Sequence, residues 1–250
     1  MLWRVLMVLD RWVVALTGRL VVTGDIPPEL RGRPMLLAAN HLGVFDVLVL
    51  VAACRRLAVA PRFMATGGLF DARVVGPMLR ACGHVRVDRG KGTVVEAMDV
   101  AVRVLAEGDP VLAYPEGRIS RDPGLWPERG KTGVARIALT AGVPVLPVSQ
   151  WGAHEAVCWG TETVSGWADV KPLLTSWLRA VRNRPTFRVH VGPTVDLTGL
   201  DPVRAGDARR AHERIMRAIT AGLLPLRADE LDEPRFHDPT RPISGRSPWR

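Results

Sequence analysis

Short apolar runs alternate with longer segments of helical period along most of this chain, and that alternation restricts its fold more than any other feature. The strand-like runs are VVTG (21–24), PMLLAAN (34–40), RFMA (62–65), HVRVD (84–88), PVLAYP (110–115), VPVLPV (143–148) and FRVHV (187–191). Between them lie helix-period segments at Asp46–Arg56, Thr93–Glu107, Thr132–Ala141 and Pro202–Leu223. Strands separated by helices of about 10–15 residues are the signature of parallel βαβ units. The sequence therefore predicts an α/β fold: a single domain with a mostly parallel central sheet flanked by helices. The two prolines of VPVLPV place that run at an edge or along a crevice, because proline donates no ladder hydrogen bond.

A chain of 250 residues buries about 70–75% of its unfolded surface, so it needs neither disulfides nor a metal to fold. Cys54, Cys82 and Cys158 are widely spaced and form no C-x-x-C pair. A reducing compartment and no structural metal are expected.

The two ends differ from this middle. Residues 1–18, MLWRVLMVLDRWVVALTG, are apolar but interrupted by Arg4, Asp10 and Arg11, so they fall short of the ~18 uncharged residues of a spanning helix. On a helix Arg4 and Arg11 lie within about 20° of each other. Trp3, Val5, Leu6, Leu9, Val13 and Leu16 occupy the remaining surface. Such a helix can lie in the headgroup layer, with Trp3 and Trp12 at the interface, or pack on the protein's own core. The first is the expectation: an N-terminal amphipathic interfacial helix at 1–18, with no secretory cleavage signature. Residues 19–225 then form the domain. Residues 226–250, rich in proline and charge with few apolar side chains, are expected to be a loosely ordered tail.

The net charge is +9 and the pI about 10.8. Three of the 34 basic residues are lysines, a skew that GC-rich coding explains as readily as an anionic partner does. If the cations serve a partner, it is a phosphate, a nucleic acid or an anionic lipid.

Several stretches carry residues suited to chemistry. In N-H-L-G-V-F-D (40–46), His41 and Asp46 are five apart, about 140° on an ideal helix. They meet only if a turn intervenes and the helix begins near Asp46, and Gly43 permits such a turn. Asp46 would then fix the imidazole tautomer and leave the other ring nitrogen to take a proton. The spacing alone is equally served by a helix-starting aspartate beside an unrelated histidine.

In G-H-V-R-V-D-R-G (83–90), a strand delivers Arg86, Asp88 and Arg89 to a loop, which suits a phosphate or a solvated strand end. In A-Y-P-E-G-R-I-S-R-D (113–122), Glu116 sits between proline and glycine at a strand's end, the edge where α/β sheets hold ligands; it also suits a tight turn. R-G-K-T-G (129–133) is no phosphate loop, because Leu125 stands where the first glycine is required. Lys131 at a helix start is either an anion contact or a solvated lysine.

In order and spacing, these motifs resemble the glycerolipid acyltransferases typified by 1-acyl-sn-glycerol-3-phosphate acyltransferase. The blocks of that family, N-H-x-x-x-x-D, G-x-x-F-I-D-R, F-P-E-G-T-R-S and V-P-[VI]-x-P-[VI], are matched by NHLGVFD, GHVRVDR, YPEGRIS and VPVLPV, over residues 39–152. The resemblance implies that His41 is the general base, oriented by Asp46, for attack of an acceptor hydroxyl on the thioester of acyl-CoA or acyl carrier protein. No covalent acyl-enzyme and no further cofactor is implied. It implies that Arg89 grips the acceptor phosphate, that Glu116 and Gly117 position the glycerol portion, and that Lys131 adds a basic contact.

Two positions depart from the family pattern. Arg86 replaces an aromatic, and Ile119 stands at the third-block arginine, with Arg118 one place earlier and Arg121 two places later. Arg118 is taken as the substitute, with Arg121 the alternative.

The implied reaction gives phosphatidic acid from lysophosphatidic acid. Glycerol-3-phosphate, another lysolipid or a glycolipid is the alternative acceptor. The partners expected are the bilayer, met peripherally or monotopically on the cytoplasmic face of the cell membrane, the thioester donor and a lysophospholipid. The cationic balance, the first helix and Trp151, Trp159, Trp167 and Trp177 suit that surface. A non-catalytic basic module is the distant rival. No nucleic-acid partner is expected, because the arginines are scattered and no aromatic–basic strand accompanies them.

Overall fold

The computed structural model describes residues 2–88, 93–158 and 167–249. Its strands are β1 (Arg19–Thr23), β2 (Leu36–Ala39), β3 (Arg62–Thr66), β4 (Val85–Val87), β5 (Val111–Ala113), β6 (Val145–Trp151) and β7 (Thr186–Val191). Its helices are α1 (Leu2–Thr17), α2 (Asp46–Arg56), α3 (Gly67–Asp71), α4 (Val75–Ala81), α5 (Thr93–Ala106), α6 (Gly133–Ala141), α7 (Trp167–Asn183) and α8 (Asp207–Leu226). Among the described residues the strands form one sheet in the order β1-β7-β6-β2-β5-β3-β4. All neighbours are parallel except β6 and β7, so the mostly parallel α/β architecture stands.

Covering both faces of the sheet buries the central strands completely, which is why β2 reads LLAA without alternation. Alternate strand residues feed two cores. Leu37, Ala39, Leu146 and Phe187 pack with Phe45, Val49 and Leu50 and with Met7 and Val14 of α1. Leu36, Ala38 and Val145 pack with Ala101 and Leu105 of α5, Ile137 of α6, and Ile215 and Ile219 of α8. Helix α5 buries Ala97, Ala101 and Leu105, spaced at four, and α6 stops at Gly142 in the left-handed conformation (φ 62°). The segment 67–81, which carries α3 and α4, went unassigned in the sequence; Pro77 sits in the first turn of α4, where its missing N–H has no helical partner.

Three expectations need correction. Strand β6 is not an edge: it lies between β2 and β7, and every residue in it is buried. A strand residue points its N–H and C=O to the same neighbour, and the Pro147 carbonyl faces the β7 side, where it accepts from Gly192. The β6–β7 ladder begins one residue later, at Val148 opposite Val191. The absent N–H of Pro147 therefore removes no ladder bond.

The turn at 43–46 does not depend on glycine, since Gly43 is not left-handed and a Cβ there meets His154 at ordinary distances of 3.6 and 3.9 Å. Residues 227–249, beyond the end of α8, carry no helix or strand, yet they are not loose. Arg227 is fully buried, stacked between Trp126 (4.4 Å) and Trp151 (4.0 Å), and its guanidinium donates to the Gly124 and Glu230 carbonyls at 2.6 Å. Few apolar side chains misled the reading; hydrogen bonds order this segment instead.

No described helix is long and apolar enough to cross a membrane. Helix α1 does two things at once. Met7, Val14 and Thr17 are buried and the Thr17 hydroxyl accepts from Trp177 Nε1 at 2.9 Å, while Val5, Leu9, Trp12 and Leu16 are at least half exposed. Asp10 is half-buried, its two carboxylate oxygens are enclosed with no hydrogen-bond partner among the described residues, and burial pushes its pKa up to about 8.

Candidate active site

Two loops leave the C-terminal ends of the adjacent parallel strands β2 and β5, the edge of an α/β sheet where ligands bind. The first begins at Asn40, which is buried and paired reciprocally with Gln150 of β6. Gln150 N donates to Asn40 Oδ1 at 2.8 Å, Asn40 Nδ2 to the Gln150 carbonyl at 3.1 Å, and Gln150 Nε2 to the Asn40 carbonyl at 2.8 Å. This double clamp fixes the point from which His41 departs. The asparagine of the motif thus has a structural task that the sequence reading left unassigned.

His41 and Asp46 meet. Nδ1 of His41 lies 2.8 Å from Oδ2 of Asp46, because the chain turns at Gly43 (Asp46 N to Gly43 O, 3.3 Å) and α2 starts at Asp46. The same Oδ2 accepts the backbone N–H of Leu42 and, at 3.0 Å, that of Gly43. Already an acceptor for two amides, and beside the positive end of α2, it is an acceptor toward the imidazole too. Nδ1 therefore carries the hydrogen, and Nε2 keeps its lone pair and has no partner among the described residues. The Asp46 side chain is fully buried and that of His41 is 17% exposed, so the imidazole is mostly enclosed but still reaches solvent. Tyr114 stacks on it with centroids 4.0 Å apart and planes 11° from parallel.

The second loop carries Glu116, which is buried. Its two oxygens accept the backbone N–H groups of His41 and Glu128, each at 2.8 Å. Burial raises its pKa to about 8 against the pull of those two amides. Ser120 N closes the link by donating to the His41 carbonyl at 2.8 Å. Gly117 is left-handed (φ 67°), a conformation L side chains rarely adopt, and its N–H turns back to the Tyr114 carbonyl. Glu116 and Gly117 thus shape the loop that supports His41.

The cations divide into engaged and open groups. Arg118 grips Glu128 through Nε (2.7 Å) and Nη2 (2.8 Å), so the guanidinium expected to replace the third-block arginine is held by a carboxylate. Arg86 is held likewise by Asp71 and Asp88, both at 2.6 Å. Lys131 is exposed, its stem lies about 4.0 Å from where a Gly117 Cβ would sit, and it pairs with no carboxylate among the described residues. Arg89 and Trp159 lie outside the described residues. Among those described, no group of three His, Cys, Asp or Glu is placed to hold a metal.

The family model described as acyltransferase matches residues 19–151. A chloroplastic 1-acyl-sn-glycerol-3-phosphate acyltransferase of Brassica napus is 27% identical over 142 residues, 56% of this chain and 40% of that one. A probable 1-acyl-sn-glycerol-3-phosphate acyltransferase of Mycoplasma genitalium is 31% identical over 126 residues, 48% of this chain and 45% of that one. The chain spans less than half the length of these curated relatives. The crystal structure of the 1-acyl-sn-glycerophosphate acyltransferase from Thermotoga maritima shares the fold, with a TM-score of 0.61 and 22% identity, covering 89% of this chain and 80% of that one.

Proposed function

The chain belongs to the acyltransferase family, and from that premise we propose that it is an O-acyltransferase that moves a fatty acyl group from an acyl thioester to the free hydroxyl of lysophosphatidic acid, giving phosphatidic acid. The donor is acyl-CoA or acyl carrier protein, and no further cofactor takes part. The observation that carries this reading is the 2.8 Å contact between His41 Nδ1 and Asp46 Oδ2, which leaves Nε2 as the base.

In the reaction Nε2 takes the hydroxyl proton as the oxygen attacks the thioester carbonyl carbon. The imidazolium that forms is stabilised by the buried Asp46 carboxylate. The C–O bond forms, the C–S bond breaks, and the thiolate leaves with the proton returned from Nε2. No group on the protein is acylated. Arg89 and Lys131 hold the acceptor phosphate, Lys131 from beside Gly117. The names of the Brassica and Mycoplasma relatives support lysophosphatidic acid as the acceptor.

The protein does this at the cytoplasmic face of the membrane, peripherally attached. What supports this is the apolar outer face of α1, whose Leu9 and Trp12 are 57% and 72% exposed, with Leu174 and Leu178 exposed on the neighbouring α7 and an overall positive charge. An apolar row bordered by cations is the composition of an interfacial helix.

The experiment is to give purified protein one thioester donor and a panel of acceptors and to follow thiol release. Lysophosphatidic acid is expected to be used in preference to glycerol-3-phosphate, other lysolipids and glycolipids. Preference for another acceptor would replace the substrate but keep the chemistry, and silence with every acceptor would remove both. His41→Ala is expected to abolish turnover while the protein stays folded.

A further inference from the structure

The last residues of the chain run across both site loops. Ser244 N donates to the Arg121 carbonyl at 2.9 Å. Ser247 is buried, its N–H donating to Asp122 Oδ2 and its hydroxyl to the Pro127 carbonyl. Trp249 Nε1 reaches the Glu128 carbonyl at 3.1 Å, and Glu128 N in turn holds Glu116. At the head of this strap is Arg241. Its guanidinium forks, with Nη1 donating to the Ser120 carbonyl at 2.7 Å and Nη2 to the Leu42 carbonyl.

These two carbonyls are particular ones. Ser120 is the residue whose N–H binds the His41 carbonyl. The Leu42 carbonyl belongs to the peptide whose other end is Gly43 N–H, and that N–H donates to Asp46 Oδ2 at 3.0 Å. In a planar trans peptide C=O and N–H point in opposite directions. A guanidinium on the carbonyl side and a carboxylate on the amide side therefore hold one plane from its two edges. If either were released the plane could rotate, taking a donor from Asp46 and loosening the carboxylate that orients His41. The rigid, five-donor fork of arginine suits two diverging carbonyls in a way that a point charge does not.

We propose that Arg241 is a positioning residue for acyl transfer, holding the His41 loop and the Glu116 loop in their working register from the far end of the chain. The proposal rests on the reading of His41 as the base. Arg241 touches neither substrate nor His41 in it; it acts through the Leu42–Gly43 peptide and Ser120. Misplacing a catalytic group by about 1 Å costs on the order of a hundredfold in rate, so loosening this plane is expressed in kcat.

The test compares Arg241→Met, Arg241→Gln and Arg241→Lys with the unaltered chain, measuring kcat, the KM of acceptor and of thioester, and the thermal midpoint. His41→Ala is run alongside. Arg241→Met is expected to lower kcat about 10–100-fold at temperatures well below its midpoint, with both KM values held within about twofold. Arg241→Lys, which keeps the charge and can reach one of the two carbonyls, recovers several-fold of the loss, and Arg241→Gln falls between. Should the methionine variant not fold, the ordering of the lysine and glutamine variants carries the same comparison. Unchanged kcat overturns the inference, and so does a loss confined to acceptor KM, which would make Arg241 a substrate contact. Turnover retained by His41→Ala would overturn the reading of the base instead, so the two failures are distinguishable.

Discussion

One carboxylate oxygen of Glu116 accepts the backbone N–H of His41, 75 residues earlier in the chain, and the other accepts that of Glu128. The two site loops are joined at this point by a side chain that the family resemblance assigns to the substrate. The bond to His41 makes a separate claim that kinetics can isolate. Glu116→Gln sets an NH₂ against one of the two N–H donors and loses one bond, leaving a buried donor unsatisfied at about 1–3 kcal/mol. We expect kcat to fall about 10–100-fold, with acceptor KM changed less than about threefold. A rise in acceptor KM at unchanged kcat would place Glu116 on the glycerol portion instead.

Tyr114 covers one face of His41 at 4.0 Å, while its hydroxyl is buried with no partner among the described residues, and burial holds its pKa well above the usual phenol value. The ring therefore serves the site and the hydroxyl is a cost. Tyr114→Phe preserves the stack and removes an unsatisfied polar atom. It is expected to raise stability by up to about 1 kcal/mol, read as a higher thermal midpoint. Tyr114→Leu removes the planar support, and kcat is expected to drop several-fold as the imidazole gains freedom. Equal kcat in the leucine and phenylalanine variants would deny the stack any role in holding the ring.

How these residues were legible differs by the kind of partner each has. His41 and Asp46 are side chains close in sequence, and a strand before them and a helix after them left one geometry in which they meet. Glu116 was visible as a residue held at a strand's end, but its partners are backbone amides, which carry no sequence signature. The same holds for Arg241, which grips carbonyls 121 and 199 residues away. Arg118 was read as a cation for phosphate because a linear motif cannot show that Glu128 folds back onto it. Pro147 was read as marking an edge because the side of the strand that lacks a ladder bond depends on where β7 ends. Composition suggested a loose tail after Leu226 because it registers apolar content, whereas this segment is held by hydrogen bonds and by one arginine between two indoles.

Besides Glu116, three enclosed groups make stability depend on pH. Burial, with the charge of Arg62 adding to it, lowers the His84 pKa to about 4. Burial, with Arg241 and Arg227 adding to it, lowers that of His154 to about 3. The unfolded chain binds these protons from about pH 6.5 downward and the folded one does not, so stability is lost as pH falls below 6.5. Neither ring nitrogen of His154 has a partner among the described residues, so His154→Phe is expected to flatten the acid side of the profile.

Asp10 acts in the opposite sense. With a folded pKa of about 8 it holds a proton that the unfolded chain has already released, so stability falls as pH rises from about 4 to 8. Asp10→Asn is expected to stabilise by an amount that grows across that window, on the order of 1–3 kcal/mol at its upper end. Denaturant midpoints at pH 5 and pH 8 check both variants. A gain from Asp10→Asn that is equal at the two pH values would mean that the carboxyl is not the titrating group.

The exposed face of α1 makes the membrane proposal testable without removing the helix. Deleting residues 1–18 would strip Met7 and Val14, 2% and 1% exposed, from the core, so loss of vesicle binding in such a truncation would not distinguish docking from unfolding. Leu9 and Trp12 lie on the outer face at 57% and 72% exposure. Replacing both with glutamate leaves the packed side untouched, and the thermal midpoint is expected to hold within a few degrees, because exposed substitutions shift stability by about 0.5 kcal/mol or less. Each side chain that enters the acyl boundary contributes about 1.5–3 kcal/mol of apolar burial, so sedimentation with anionic vesicles is expected to weaken at least about tenfold. Turnover of a short-chain, water-soluble acceptor should survive in the same double variant. If the variant instead co-sediments as well as the original, the outer face of α1 is not what meets the lipid.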